Sequence, residues 1–332
     1  MSSHSADFHD DITDVPGIMV GHAQDIVAKT GVTVILPPRK GAAAGLYVGG
    51  SAPSTRQMDS LRPLHVVDRV HGICLCGGSA FGLDAGGGVL SYLEEQGTGF
   101  EVVGKTIPIV PSAAIFDLNF GDGSVRPDHE MGRRACANAS SKRMEQGSIG
   151  AGTGATVGKL FGVERAMKGG LGSSSCVSHD LVVGTLVVVN AYGDITNPEG
   201  ALLAGCRTSA ESLHLADAKF LLQEGMAESR KLSVEDTTLA VIAVNARLDK
   251  IAASRIAAQA TLGMARVIRP FHSHIDGDLT IVLSVGDKKA DPNRISFLAQ
   301  DSLQRSVVNA IMKANGLGVL PAWKDLSAGR ES

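Results

Sequence analysis

The stretch Lys231-Leu-Ser-Val-Glu-Asp236-Thr237-Thr238-Leu-Ala-Val-Ile-Ala-Val244 passes abruptly from a polar break, 231–236, into an apolar run that opens on two threonines. The run 237–244 reads as a buried strand. It has a counterpart upstream in Leu181 to Asn190, the most apolar segment of the chain, whose pattern predicts a strand buried on both faces. Two such strands need a large sheet with cover on each side, and the rest of the sequence supplies both.

Upstream, the first ten or so residues read as disordered, and 18–23, 31–36, 42–49 and 72–76 read as short strands, the second ended by Pro37-Pro38. Ser79 to Glu95 predicts a helix with Ala80, Leu83, Val89, Leu90 and Leu93 on one side and Gly86-Gly87-Gly88 inside it. Three glycines there cost about 1 kcal/mol each relative to alanine, so another backbone is expected against that turn. A further strand is read at 106–110, followed by the segment 111–118 and a glycine-rich stretch, 147–175. Downstream, 208–231 predicts a long helix with Leu213, Ala216, Phe220 and Met226 at helical spacing. Helices at 250–268 and 296–315 then flank a strand at 279–285. Strands and helices interleave throughout, which predicts an α/β or α+β class with large sheets under helical layers.

Composition bounds the partners. With 332 residues and 44% hydrophobic content the chain can bury a large core, and aromatics at 4% make that core aliphatic. A net charge of −3 leaves no electrostatic footprint for nucleic acid or an anionic membrane surface, and no apolar run approaches the roughly 18 residues of a bilayer span. Five cysteines (Cys74, Cys76, Cys136, Cys176 and Cys206), an odd number, and a polar N-terminus without an apolar leader segment predict a reducing cytoplasm. Cys74 and Cys76 alternate within a strand pattern and read as buried thiols, not half of a metal site.

Three stretches carry chemistry. Gly150-Ala-Gly-Thr-Gly-Ala-Thr-Val-Gly158-Lys159 fails the phosphate-loop spacing, because Leu160 follows the lysine and Gly154 stands too close to Gly158. Phe271-His272-Ser-His274-Ile-Asp276-Gly277-Asp278 resembles a metallohydrolase motif but has Gly277 where a further histidine is required. Its two carboxylates, Asp276 and Asp278, stand at a strand entrance where a pair can share a proton, although Asp276-Gly277 also reads as a plain turn. Cleavage before Thr237 would expose an α-amine of ordinary pKa, about 8, able to act as base for the hydroxyl of its own residue. β-Propensity alone also accounts for two threonines at a strand start.

Seven blocks, in order, resemble those of the DmpA-like peptidases: Val15-Pro-Gly-Ile-Met-Val-Gly-His22, Ile73-Cys-Leu-Cys-Gly-Gly-Ser-Ala-Phe-Gly-Leu-Asp84, Ile109-Val-Pro-Ser-Ala-Ala-Ile-Phe-Asp117, 150–159, Lys168-Gly-Gly-Leu-Gly172, Asp236-Thr237-Thr238 and Asp276-Gly-Asp278. That family includes L-aminopeptidase/D-esterases, β-peptidyl aminopeptidases and endo-type nylon oligomer (6-aminohexanoate oligomer) hydrolases. The resemblance spans residues 12–320. It implies an αββα four-layer sandwich, layered like N-terminal-nucleophile hydrolases but differently connected. It also implies self-cleavage of one structural domain into a large chain, 1–236, and a small chain, 237–332.

Position by position, Thr237 resembles the nucleophile, Asp276 and Asp278 the carboxylate pair of the threonine-type branch, Lys159 the lysine near the nucleophile, and Asn190 the asparagine of oxyanion stabilisation. Phe116 is a candidate substrate-binding residue, standing where some members carry a tyrosine and so offering no phenolic hydrogen bond. Asp236 precedes the cleavage point where Asn or Gly is frequent.

The expectation is therefore a self-processing amidohydrolase or aminopeptidase acting on small peptides or peptide-like oligomers, with no metal or organic cofactor. Its two chains would stay associated and assemble into a homo-oligomer. The alternatives are acyl transfer of the ornithine acetyltransferase type and an uncut, non-catalytic member.

Overall fold

The computed structural model describes residues 8–226 and 236–328. Its framework is a six-stranded sheet in the order Gly170–Ser178, Leu181–Asn190, Thr237–Ala246, Leu279–Lys288, Ala42–Val48, Arg69–Val70. Neighbours run antiparallel except Thr237–Ala246 and Leu279–Lys288, which are parallel. Period-two alternation divides the side chains of the central strands between two cores. Leu186, Val188, Leu239, Val241, Leu279 and Ile281 face a second sheet, while Val187, Val189, Ala240, Ile242 and Val282 face the helices Lys250–Ala260 and Pro292–Met312. Burying each such aliphatic side chain contributes about 1.5–3 kcal/mol, so the paired apolar strands are the main source of cohesion.

The second sheet has five strands, Met19–Asp25, Thr30–Leu36, Ile73–Cys76, Ser112–Ala114 and Ser54–Arg56. Val32, Val34, Cys74 and Cys76 on its outer face pack against helices Ala85–Glu95 and His129–Ala137. The layers therefore run helices, sheet, sheet, helices, the four-layer order implied by the resemblance. No helix among the described residues is long and apolar enough to cross a membrane.

Several local expectations change. The long helix read over 208–231 is absent from its described part. Arg207 pairs with Leu215 as an isolated bridge, and its guanidinium donates to the carbonyls of Glu164, Ala166, Ala210 and Ser212, holding 208–215 as a loop. Only Ala218–Gln223 is helical, capped by Asp217 at φ 54°. Residues 227–235 lie outside the described residues. The helix expected over 79–95 is interrupted, running as Ser79–Gly82 and Ala85–Glu95. That expected over 250–268 ends as Lys250–Ala260 and Leu262–Ala265 before a two-residue strand, Ile268–Arg269. The last long helix starts at Pro292 because Asp291 caps it, accepting from Asn293 N with proline in the first turn. Residues 8–10, expected to be disordered, are described: Asp10 accepts from Ser174 Oγ and Ser175 N, and the His9 amide donates to Asp14.

The expected backbone contact at the triple glycine is present. A Cβ at Gly88 would stand 1.8 Å from the His129 carbonyl oxygen, whereas one at Gly87 meets nothing nearer than 3.5 Å. Gly87→Ala should therefore stabilise the chain by about 0.5–1 kcal/mol through helix propensity. Gly88→Ala should destabilise it by about 1–3 kcal/mol through overpacking. Urea unfolding of the two variants checks both signs.

Candidate active site

Sheet topology gathers the predicted residues. In the antiparallel pair of central strands, Asn190 ends one strand directly opposite Thr237, which begins the other. The parallel neighbour starts at the same end, so Asp278, one residue before Leu279, arrives beside Thr238 and accepts its amide at 2.5 Å. Asp236 and Asp276 form a parallel bridge just beyond. Thr237, Asn190, Asp236, Asp276 and Asp278 are all buried, at 5% exposure or less.

The peptide carbonyl of Asp236 sits at the centre. It accepts from Thr237 Oγ1 at 2.5 Å and from the Gly277 amide at 2.7 Å. Gly277, which excluded the metallohydrolase motif, has a steric reason here: a Cβ on it would lie 2.8 Å from Thr237 Oγ1 and 2.7 Å from the Ala52 carbonyl oxygen.

Lys159 reaches the same point from the glycine-rich stretch, which is a packed loop. A Cβ at Gly158 (φ 72°) would fall 2.1 Å from Cys206 N, so that residue must be glycine. The Lys159 amide donates to the Tyr192 carbonyl at 2.9 Å. Its Nζ lies 3.0 Å from Asn190 Oδ1, 3.1 Å from Asn190 O and 2.9 Å from Asp236 Oδ1. Lys159 thus meets the Asp236 carboxylate. Asn190 Oδ1 also accepts from Thr156 N at 3.0 Å, and Nδ2 donates to the Phe116 carbonyl at 3.2 Å, so the amide is held in one orientation. Phe116 contributes to this arrangement through its main chain.

The carboxylates differ in environment. Burial, then the charge of Asp278, raises the Asp276 carboxyl from 3.8 to about 7. Its Oδ2 accepts from Ser273 N at 2.6 Å, while Oδ1 is buried without a hydrogen-bond partner among the described residues. Asp278 Oδ2 lies 2.9 Å from His272 Nδ1. His274, the other histidine of the motif, forms no part of these contacts. No group of three His, Cys, Asp or Glu among the described residues is placed to hold a metal ion.

Three contributors carried no site role in the sequence reading. His272 orients Asp278; its signal was present in the motif but pointed to metal. Tyr192 lies in the field of the site, its hydroxyl pushed up to about 12 by burial, then by the charges of Asp236 and Asp276. Lys168 is fully buried and donates to the carbonyls of Gly152, Ala155 and Gly169 at 2.7–2.9 Å, fixing the loop that presents Thr156 N to Asn190. Burial lowers its ammonium to about 7 against the opposing charge of Asp117.

Comparison with known proteins gives a consistent picture. The model of Peptidase family S58 matches residues 10–320. An uncharacterized aminopeptidase from Mycobacterium tuberculosis is 34% identical, over 96% of this chain and 98% of the relative. A 6-aminohexanoate-oligomer endohydrolase from Paenarthrobacter ureafaciens is 31% identical, over 82% of this chain and 74% of the relative. Among solved structures, the L-aminopeptidase D-Ala-esterase/amidase from Ochrobactrum anthropi, described as a new variant among the Ntn hydrolase fold, superposes with a TM-score of 0.71. At 19% identity, over 92% of this chain and 87% of that one, it is evidence of a shared fold.

The raised Asp276 carboxyl has a thermodynamic consequence. Its folded value lies above the unfolded 3.8, so between about pH 4 and 7 the native state keeps a proton that the unfolded chain has lost. Stability contributed by this group is present at low pH and declines as pH rises through that window. In a Thr237→Ala background, Asp276→Asn should remove the decline, so its melting temperature should gain on the parent's steadily from pH 4 to 7. A constant difference would mean that Asp276 is not the titrating group.

Proposed function

The chain belongs to peptidase family S58 and is an amidohydrolase, and from that premise we propose that Thr237 is its nucleophile, released by cleavage of the Asp236–Thr237 bond. The observation that carries this reading is the Asp236 carbonyl, which accepts from both Thr237 Oγ1 and Gly277 N. The hydroxyl lies against the carbonyl it attacks, and a backbone amide is already directed at the developing oxyanion.

In processing, Oγ adds to the Asp236 carbonyl carbon, the C–N bond breaks, and an ester links Asp236 to Thr237. Water hydrolyses the ester, leaving a carboxylate on Asp236 and a free α-amine on Thr237. In turnover that amine takes the hydroxyl proton as Oγ attacks a substrate amide, and the departing amine receives a proton. Asp276, poised near neutrality, and Asp278 assist these transfers, and Asn190 donates to the oxyanion. The substrates are small peptides or peptide-like oligomers, the class named by the aminopeptidase and oligomer-hydrolase relatives. The two chains stay associated, because the strand Thr237–Ala246 lies between Leu181–Asn190 and Leu279–Lys288 and cannot leave without opening the sheet.

Denaturing mass spectrometry of an active preparation should give chains 1–236 and 237–332 that co-elute under native conditions, and Thr237→Ala should remain a single chain. An active, uncut protein would overturn the proposal. On correctly cleaved protein, Asn190→Ala should lower kcat by about 100-fold or more with a smaller change in KM, since the donor acts mainly in the transition state. A kcat within a few-fold of wild type would restrict Asn190 to ending its strand.

A further inference from the structure

Two main-chain groups hold the Asn190 amide, the Phe116 carbonyl at Nδ2 (3.2 Å) and the Thr156 amide at Oδ1 (3.0 Å). They belong to segments far apart in the chain, and the buried Asp117 side chain touches the support of each. Asp117 Oδ1 accepts from Gly78 N at 2.6 Å, and Oδ2 accepts from Thr30 Oγ1 at 2.8 Å. Gly154, two residues before Thr156, lies directly against it: a Cβ there would stand 2.5 Å from both Asp117 Cβ and Oδ2. Resting on the proposed role of Asn190 in turnover, we propose that Asp117 is the positioning residue of the oxyanion donor, its carboxylate joining the two segments that aim the Asn190 amide.

The segment that carries the Phe116 carbonyl is tied on both sides. Ile115 N donates to the Cys76 carbonyl and Ser79 N to the Ile115 carbonyl, both at 2.9 Å, so the residue before Phe116 is bonded to loop 76–79 through the main chain. Asp117 bonds the residue after Phe116 to the same loop through Gly78 N. A Cβ on Gly77 would fall 2.0 Å from Asp117 Oδ2, so the loop closes on the carboxylate with no room for a side chain. On the other segment, Lys168 Nζ donates to the Gly152 and Ala155 carbonyls while Gly154 between them packs on Asp117.

A buried carboxylate is tolerated where its oxygens are bonded, and both oxygens of Asp117 are. Burial raises its carboxyl from 3.8 to about 6, against the bonds from Gly78 and Thr30 and the charge of Lys168, which leaves it ionised above neutral pH. Aim matters here because the donor acts on charge that develops in the transition state, and a displacement of about 1 Å can cost on the order of 100-fold in rate. Lys159 Nζ also holds Asn190 Oδ1, at 3.0 Å, so losing Asp117 loosens the amide without releasing it.

The test measures kcat and KM for aminoacyl p-nitroanilides and 6-aminohexanoate oligomers on correctly cleaved Asp117→Ala, Asp117→Asn and Thr30→Val proteins. Asp117→Ala should lower kcat by about 10-fold or more while KM changes by less than about 3-fold. Asp117→Asn keeps an acceptor for Gly78 N and should fall between that variant and the wild type. Thr30→Val removes one bond at constant shape and should lower kcat by about 3-fold, which carries the test where Asp117→Ala does not fold. The decisive readout is a cycle with Asn190→Ala. Independent losses multiply, whereas a residue that acts through this amide has nothing left to aim in its absence, so the further change in kcat should stay within about 2-fold. A wild-type kcat in every variant that folds, or losses that multiply with that of Asn190→Ala, overturns the inference and leaves the proposed nucleophile standing. A near wild-type kcat for Asn190→Ala removes the donor and overturns the inference with it. A wild-type chain that stays uncut, or that turns over none of these substrates, overturns both the inference and the proposed function.

Discussion

Everything at the candidate site depends on the pairing of Leu181–Asn190 with Thr237–Ala246, in a register that sets Asn190 opposite Thr237. Both strands are buried on both faces, so a slip by one residue would turn valine and leucine side chains from one core into the other and break two packed interfaces at once. That penalty fixes the register without help from the polar residues at the strand ends. The site is placed by hydrophobic packing and then furnished with charge.

The parallel strand Leu279–Lys288 adds the second constraint. Because it starts at the end where Thr237 starts, the chain just before it has to run alongside Asp236, and Gly277 is the residue small enough to let it do so. Asp276 and Asp278 then flank Thr237 on a segment whose own carbonyls are tied to residues 49–52. Three carboxylates and one ammonium in so dry a place cannot all be ionised and independent. Asp236 takes the lysine, Asp278 takes the Thr238 amide and His272, and Asp276, pushed up by burial and by Asp278, keeps a proton near neutrality.

Local pattern succeeded where burial enforces it and failed where tertiary bonds override it. The central strands, the alternation around Cys74 and Cys76 and the close approach at the triple glycine were legible because each is dictated by what a neighbouring layer must accept. The helix read over 208–231 failed because helical spacing of Leu213, Ala216 and Phe220 does not create a partner for that face. Leu213 and Phe220 are exposed, and the Arg207 guanidinium gathers the nearby carbonyls into a loop instead. Distant arginine-to-carbonyl bonds leave no periodic trace in a sequence.

The sequence by itself determined the layered α/β class, the aliphatic core, the exclusion of a phosphate loop and the residue types at the site, since these follow from apolar period, glycine spacing and the chemistry of threonine, carboxylate, lysine and asparagine. Only the tertiary structure decided their partners: Asp236 for Lys159, His272 and Thr238 for Asp278, and the Gly277 amide for the Asp236 carbonyl. The reason is physical. Side-chain chemistry is a property of one residue, whereas a hydrogen bond across forty residues of chain exists only after the sheet has set the two ends side by side.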